Sequence, residues 1–490
     1  MSGKVREQGG RDKRAALALA VVLGVGALLR LLMTFAWRPA LMGWPDAASY
    51  IVVAHGSLFG NELRPAGFPL FLRLLHGVAP SLTLVVAVQH LVGLASAVVL
   101  YLAVARTGVP RLLGLVPAAI VALGGDGIFL EQSPISETLF IFCVALTLYA
   151  GVRALEGERL LWPAAFGLAL AGAAAVRVVA LPLIPLALLW LFASGPRPLR
   201  RRLAVAAVAA AGTLALLGGY YAAEQRAVGH TGLSRNGIWN LYGRVAPFAD
   251  CSKFDPPSGT AELCEATPRA DRPLTNQYTF NWFYSPAIRA FGDPHSATPA
   301  QTAAVASFTR AVILHQPLDY ANEVGASLLR YVVPDALSGY GGGPSYHDLV
   351  GREILFNPLY QTLGRRAARE YYTDVGRRYR SSRPLLSVMR GWESLTRIQG
   401  PLFVMLALLS LAGPLLASGR ARAAAALFAL AAWTLLVVPV ATVEFSARTA
   451  VPGFGPLGAA AALGGWGVLL RWGPALSRMA LRRPGFPSLR

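Results

Sequence analysis

An all-α polytopic membrane protein with about ten spanning helices is what this sequence predicts, and three observations carry the prediction. Hydrophobic residues make up 54% of the chain and charged residues 14%, with a mean hydropathy of +0.48, more apolar than a soluble domain of this length requires. The apolar residues gather in runs near the roughly 20 that a helix needs to cross the hydrocarbon core, and no alternating strand pattern competes with them. The arginines fall mostly between those runs, so the net charge of +20 reads as loop charge that sets membrane orientation rather than as a surface for nucleic acid.

Taken in order, the basic N-terminus 1–14, "MSGKVREQGGRDKR", carries no cleavage-site pattern and is expected to stay in the cytoplasm, leaving the first run as an uncleaved anchor. Spans are expected near 15–36, 81–104, 111–129, 137–153, 162–176, 178–194, 203–222, 400–418, 422–442 and 453–470. The short Arg-bearing connections "RTGVPR", "RALEGERL", "GPRPLRRR" and "SGRARA" and the basic tail 471–490 then lie inside, as the positive-inside rule expects. An even number of crossings leaves both ends in the cytoplasm of a plasma-membrane protein.

The domain plan is therefore a transmembrane module over 15–222 with a first outer loop at 37–80 bearing interfacial helices, a long extracytoplasmic loop domain at 223–399, and C-terminal spans over 400–470. Arg177 divides the apolar stretch 162–194 at an outer turn. Within the long loop, "TAAVASFTRAVILHQPLDYANEVGASLLRYVV" reads as helical. Cys251 and Cys264 bracket a polar segment there. A disulfide fits if that segment faces an oxidising compartment, and two free thiols are the alternative.

Ionisable groups at the edges of spans cost free energy and are functional candidates by default. In this topology Arg30, Asp46, Glu62, Arg64, Asp126, Glu131, Glu137, Arg177, Glu444 and Arg448 all lie at outer ends of spans or in outer loops. Nothing comparable lies at the midplane, where a transporter would keep its substrate groups. Carboxylates facing arginines at an interface suit a reaction in which an acceptor hydroxyl loses a proton while an anionic phosphate leaves. Each residue also has a structural reading. Asp46 follows Pro45 and would serve as a helix cap; Glu137 would favour a helix dipole; Arg64, Arg177 and Arg448 would snorkel to headgroups. His76 and His90 have no partner at metal-ligand spacing, and no Walker loop, zincin pair or G-x-S-x-G elbow is present.

Six stretches in order, "WPDAASY", "LRPAGFPLFLRLL", "QHLVGLASAVVLYLAV", "EQSPISETLFIFCVAL", "GLALAGAAAVRVVALPLIPLAL" and "VEFSARTAVPGFGPLGAAAAL", resemble the polytopic GT-C glycosyltransferases of the family 39 and RgtA/B/C/D-like kind, relatives of protein mannosyltransferases and of the aminoarabinose transferase of lipid A. The resemblance covers Ala15 to Ser194 and, more loosely, the C-terminal spans. It implies a GT-C-type bundle and an inverting transfer of a sugar from a polyprenyl-phosphate carrier to an envelope glycan, lipid or protein acceptor on the extracytoplasmic face. Asp46 maps onto the base, Glu137 or else Glu131 onto a second acidic residue, and Arg64, Arg177 and Arg448 onto the carrier phosphate. Tyr50, Glu131 and Glu444 are candidate acceptor or sugar contacts. Many relatives carry two neighbouring acidic residues where Ala47 follows Asp46 here, so a divalent metal is left open and no other cofactor is implied. A non-catalytic envelope-assembly protein and a lipid or glycan transporter are the competing expectations.

Overall fold

The structure is a computed structural model and describes residues 2–59, 64–157, 159–195, 197–229, 232–272, 284–333, 349, 358–375 and 380–481. These residues form a multi-pass helical membrane protein. From the N-terminus, α1 (Ser2–Ala36) leads through the two-residue strand β1 (Trp37–Arg38) to α2 (Pro45–His55) and α3 (Gly67–Val78). There follow α4 (Leu82–Ala105), α5 (Leu115–Leu123), α6 (Gly125–Glu131), α7 (Glu137–Glu156), α8 (Leu161–Val176), α9 (Leu183–Ala193) and α10 (Leu199–Val228). The long connection holds α11 (Asn236–Val245), α12 (Pro286–Phe291), α13 (Pro299–His315), α14 (Pro317–Leu329), α15 (Pro358–Tyr371), strand β2 (Arg380–Ser381) and α16 (Arg383–Thr396). The chain closes with α17 (Gly400–Leu416), α18 (Gly419–Thr442) and α19 (Ala447–Leu481).

Among the described residues, six helices are long and apolar enough to cross a membrane: Asp12–Ala36 of α1, α4, α7, α10, α18 and Ala447–Trp472 of α19. Two bent pairs raise the number to eight: the segment 111–131, which turns by 49° at Gly124, and α16 with α17, which meet at 46°. The expected spans 162–176 and 178–194 are α8 and a short 3-10 turn followed by α9, with helices of 16 and 11 residues. At 1.5 Å per residue neither α8 nor α9 reaches the roughly 30 Å of a hydrocarbon core on its own. Arg177 causes the division, because its extended backbone (φ −146°, ψ 125°) ends α8 and Pro182 follows before α9 can start.

Small residues let these helices approach backbone to backbone, the usual device where lipid supplies no hydrophobic drive for association. A Cβ placed on Gly167 of α8 would lie 1.9 Å from the Ala209 carbonyl of α10, and one on Gly464 of α19 would lie 1.8 Å from the Leu409 carbonyl of α17. At one end of the bundle Arg106, Arg153 and Arg420 converge on Glu156. The other end, where α1, α8 and α18 finish and α7 and α19 begin, carries the inserted segments.

Those segments behave in two ways. Trp239, Tyr242, Phe254, Phe308 and Val312 make a small second core, beside which Cys251 and Cys264 are bonded as a disulfide. Further along, Tyr331, Ala368, Tyr372, Leu386 and Met389 belong to the main core instead. There α15 packs on α2, α16 packs on α1, and β2 pairs antiparallel with β1. Asp374 secures the join by accepting hydrogen bonds from Ser81 Oγ and from the Leu82 and Thr83 amides at the start of α4, where the first backbone N–H groups have no helical partner.

Replacing Gly167 or Gly464 by Leu is expected to lower stability by about 1–3 kcal/mol through overpacking, read as a fall in the thermal midpoint of the purified protein in detergent. Gly465→Ala, where a new Cβ meets nothing within 4 Å, is the control and should leave the midpoint unchanged or slightly higher.

Candidate functional site

Asp46 lies in the first turn of α2, after Trp44 and Pro45. Proline suits that first helical position, since its missing N–H would have had no partner there. The aspartate does not cap the helix: its Oδ1 pairs with an Arg64 terminal nitrogen and its Oδ2 with Arg448 at 2.5 Å. Glu137 opens α7, and its Oε1 is shared by Arg177 and by Nε of Arg448. Arg448 thus bridges both carboxylates from the first turn of α19, while Arg177 reaches in from the break after α8 and Arg64 from the segment before α3.

Ser136, the residue before α7, makes no side-chain cap. Its hydroxyl instead accepts from Tyr50 OH at 3.1 Å and from Arg177 at 3.2 Å. The Arg448 guanidinium lies 5.8 Å from the Trp44 ring centre and that of Arg64 lies 5.9 Å from the Tyr50 ring, within cation–π range. Neither Glu137 Oε2 nor Trp44 Nε1, both buried, has a hydrogen-bond partner among the described residues. Three guanidiniums around two carboxylates leave one uncompensated positive charge, which suits an anion more than a cation.

Burial pushes the Asp46 carboxyl up, but Arg64, Arg448 and then Arg177 outweigh it and hold the group well below the usual carboxylate range. Burial, and after it the charge on Asp46, pushes the Tyr50 phenol up, so it stays a neutral donor to Ser136. Both Asp46 oxygens are taken by guanidiniums, whereas Glu137 Oε2 is not. Among the described residues no three His, Cys, Asp or Glu side chains come together as metal ligands.

The structure therefore brings together Asp46, Tyr50, Arg64, Glu137, Arg177 and Arg448, and places the other candidates elsewhere. Glu131, six positions before Glu137, faces away into a second cluster: Arg30 donates to both of its oxygens at 2.8 and 2.7 Å, and His90 Nδ1 lies 2.7 Å from Oε2. The other His90 nitrogen meets Gln132 Oε1 at 3.1 Å, and the Gln132 amide donates to the Trp37 carbonyl. Asp126 pairs with Arg397 at 3.6 Å. Glu444 is buried in the turn before α19, where its charge acts on Arg244. Glu62 lies outside the described residues.

Two contributors were not singled out from the sequence, Ser136 and Trp44. Their only signal was adjacency, Ser136 to Glu137 and Trp44 to the Pro45–Asp46 pair. A cavity lined by Asp126, Glu131, Ile120, Leu130, Val451 and Phe454 lies on the side of the second cluster and reaches Thr138, the residue after Glu137.

No family model matches the chain, and no curated protein matches it either. Solved structures do. An oligosaccharyltransferase of Archaeoglobus fulgidus in the apo form is 11% identical, covering 96% of this chain and 53% of that one with a TM-score of 0.47. The archaeal oligosaccharyltransferase AglB from Archaeoglobus fulgidus, in complex with an inhibitory peptide and a dolichol-phosphate, is 11% identical over 96% of this chain and 52% of that one, with a TM-score of 0.43. The S. cerevisiae protein O-mannosyltransferase Pmt1–Pmt2 complex bound to the sugar donor is 15% identical over 47% of this chain and 36% of that one, with a TM-score of 0.35. The chain spans about half the length of the archaeal structures and about a third of the yeast one.

A carboxylate with a depressed folded-state pKa adds stability at every pH above its unfolded value and loses it as the pH falls through the folded value. Asp46→Asn should therefore cost about 3 kcal/mol at neutral pH, because it strands buried arginines. The gap in thermal midpoint from the wild-type protein should hold from about pH 8 to about pH 5 and close only below the ordinary carboxylate range.

Proposed function

We propose that the protein is a membrane glycosyltransferase of the GT-C kind. It moves a sugar from a polyprenyl-phosphate carrier to a hydroxyl of an envelope glycan, lipid or protein acceptor, on the extracytoplasmic face of the plasma membrane. The observation that carries this reading is the closed group of three arginines and two carboxylates at one end of the bundle, with its excess positive charge. Such a site suits a phosphate at headgroup depth.

In this reading the acceptor oxygen attacks the anomeric carbon as the bond from that carbon to the phosphate oxygen breaks. The bonding electron pair departs with the phosphate, and arginine steadies the growing negative charge. The hydroxyl proton passes to Asp46. Direct displacement inverts the anomeric centre relative to the carrier. Tyr50 and Ser136 hold Arg177 at the site before the donor arrives.

Supplying the purified protein with a radiolabelled polyprenyl-phosphate sugar and membrane acceptors tests the proposal. Transfer by the wild-type protein is expected, with Asp46→Asn and Glu137→Gln each lower by about a hundred-fold or more per folded molecule. Full transfer by folded Asp46→Asn would remove the base from the scheme, and no transfer from any prenyl-phosphate sugar would remove the function.

A further inference from the structure

The three arginines of this group are not equivalent. Arg448 spends two nitrogens on two carboxylates, Nε on Glu137 and a terminal nitrogen on Asp46, and its side chain is only 10% exposed beside the Trp44 ring. Arg64 serves Asp46 alone and is 18% exposed. Arg177 serves Glu137 alone and is 20% exposed. Arg177 gives a single terminal nitrogen to both Glu137 and Ser136, and its other nitrogens have no hydrogen-bond partner among the described residues. The Nε of Arg64 is likewise buried without one.

We infer that the arginines divide the work of the proposed transfer: Arg64 and Arg177 turn to the anionic phosphate of the donor, whereas Arg448 stays between Asp46 and Glu137 as a positioning residue. Turning Arg448 outward would break two buried ion pairs and leave two neighbouring carboxylates with one partner each. Turning Arg64 or Arg177 breaks one pair and leaves every carboxylate still joined to Arg448. Recognition of phosphate by guanidinium needs N–H groups that a ligand can reach, and the two outer arginines are the more exposed.

The division links donor arrival to base activation. When phosphate draws Arg64 away, Asp46 Oδ1 loses its partner and becomes available to the acceptor hydroxyl, while Arg448 keeps Oδ2 in place. The charged and titratable groups facing Asp46 are Arg64, Arg177, Arg448, Glu137 and Tyr50, so the carboxyl is a weaker base before the exchange than after it. This inference rests on the proposed function, but it is tested by phosphate binding as well as by turnover.

The probe is geranyl phosphate, a carrier mimic without sugar, titrated into the purified protein. Arg64→Gln and Arg177→Gln are expected to weaken its binding by about ten-fold each, and Arg448→Gln by less than about two-fold. In turnover, Arg448→Gln should lower kcat with little change in donor KM. It should also move the acid limb of the pH profile upward, because losing that positive charge raises the Asp46 pKa; Arg448→Lys should move the limb back. Equal loss of geranyl phosphate binding in all three Gln variants would overturn the division, as would an acid limb unmoved in Arg448→Gln or no binding by the wild-type protein. Should the wild-type protein bind geranyl phosphate yet transfer no sugar, the proposed reaction fails while the binding series still decides the division.

Discussion

Arg448 joins three parts of the chain that lie far apart in the sequence. Its guanidinium ties Asp46 of α2 and Glu137 of α7 to the start of α19, in surroundings where an unpaired carboxylate would cost several kcal/mol. That cost makes the arrangement selective. A position of α2 that missed Arg448 would leave Asp46 with Arg64 alone, so the charge pairing favours one placement of the interfacial helix on the bundle. The apolar contacts around it, such as the Tyr50 ring against Phe68, are compatible with many neighbouring placements; the fork of Arg448 is compatible with few.

The cluster around Glu131 does related work one layer deeper. Arg30 of α1 and the glutamate at the end of α6 neutralise each other, with His90 of α4 hydrogen-bonded to the same glutamate, and Gln132 passes that order to the carbonyl of Trp37, at the head of the segment leading to Asp46. Gly93 allows the packing, since a Cβ there would lie 2.0 Å from Glu131 Oε1 and 2.9 Å from Arg30 NH2. The charged groups near the membrane edge thus fall into two sets. One is closed on itself and holds the scaffold; the other carries excess positive charge and includes partly exposed arginines.

Much of this was legible in the sequence. Run length and arginine placement give the helices and gather the charges at one end, because those patterns answer directly to bilayer thickness and to the cost of charge in lipid. The grouping of Asp46, Arg64, Glu137, Arg177 and Arg448 was readable in outline as residues at matching span ends. Which acid meets which arginine was not. Glu131 and Glu137 are six positions apart and look alike as letters, yet the turn between α6 and α7 aims them into different clusters, and that turn is set by tertiary contacts. The long connection was opaque for a similar reason: its α15 and α16 pack into the main core through contacts with α2 and α1 that no local periodicity announces.

Asp46 and Arg448 are 402 positions apart, and Glu137 and Arg448 are 311 apart. A chain that emerges from the ribosome and enters the bilayer helix by helix therefore holds its two acids for most of its synthesis with their shared cation still unmade. Contacts of such long sequence separation are slow to form, and here they wait for α19. A product lacking α19 would keep Asp46 with Arg64 and Glu137 with Arg177 but lack the cation that joins the two pairs. The two pairs would then be free to part at the membrane edge, where charge is costly to expose to lipid.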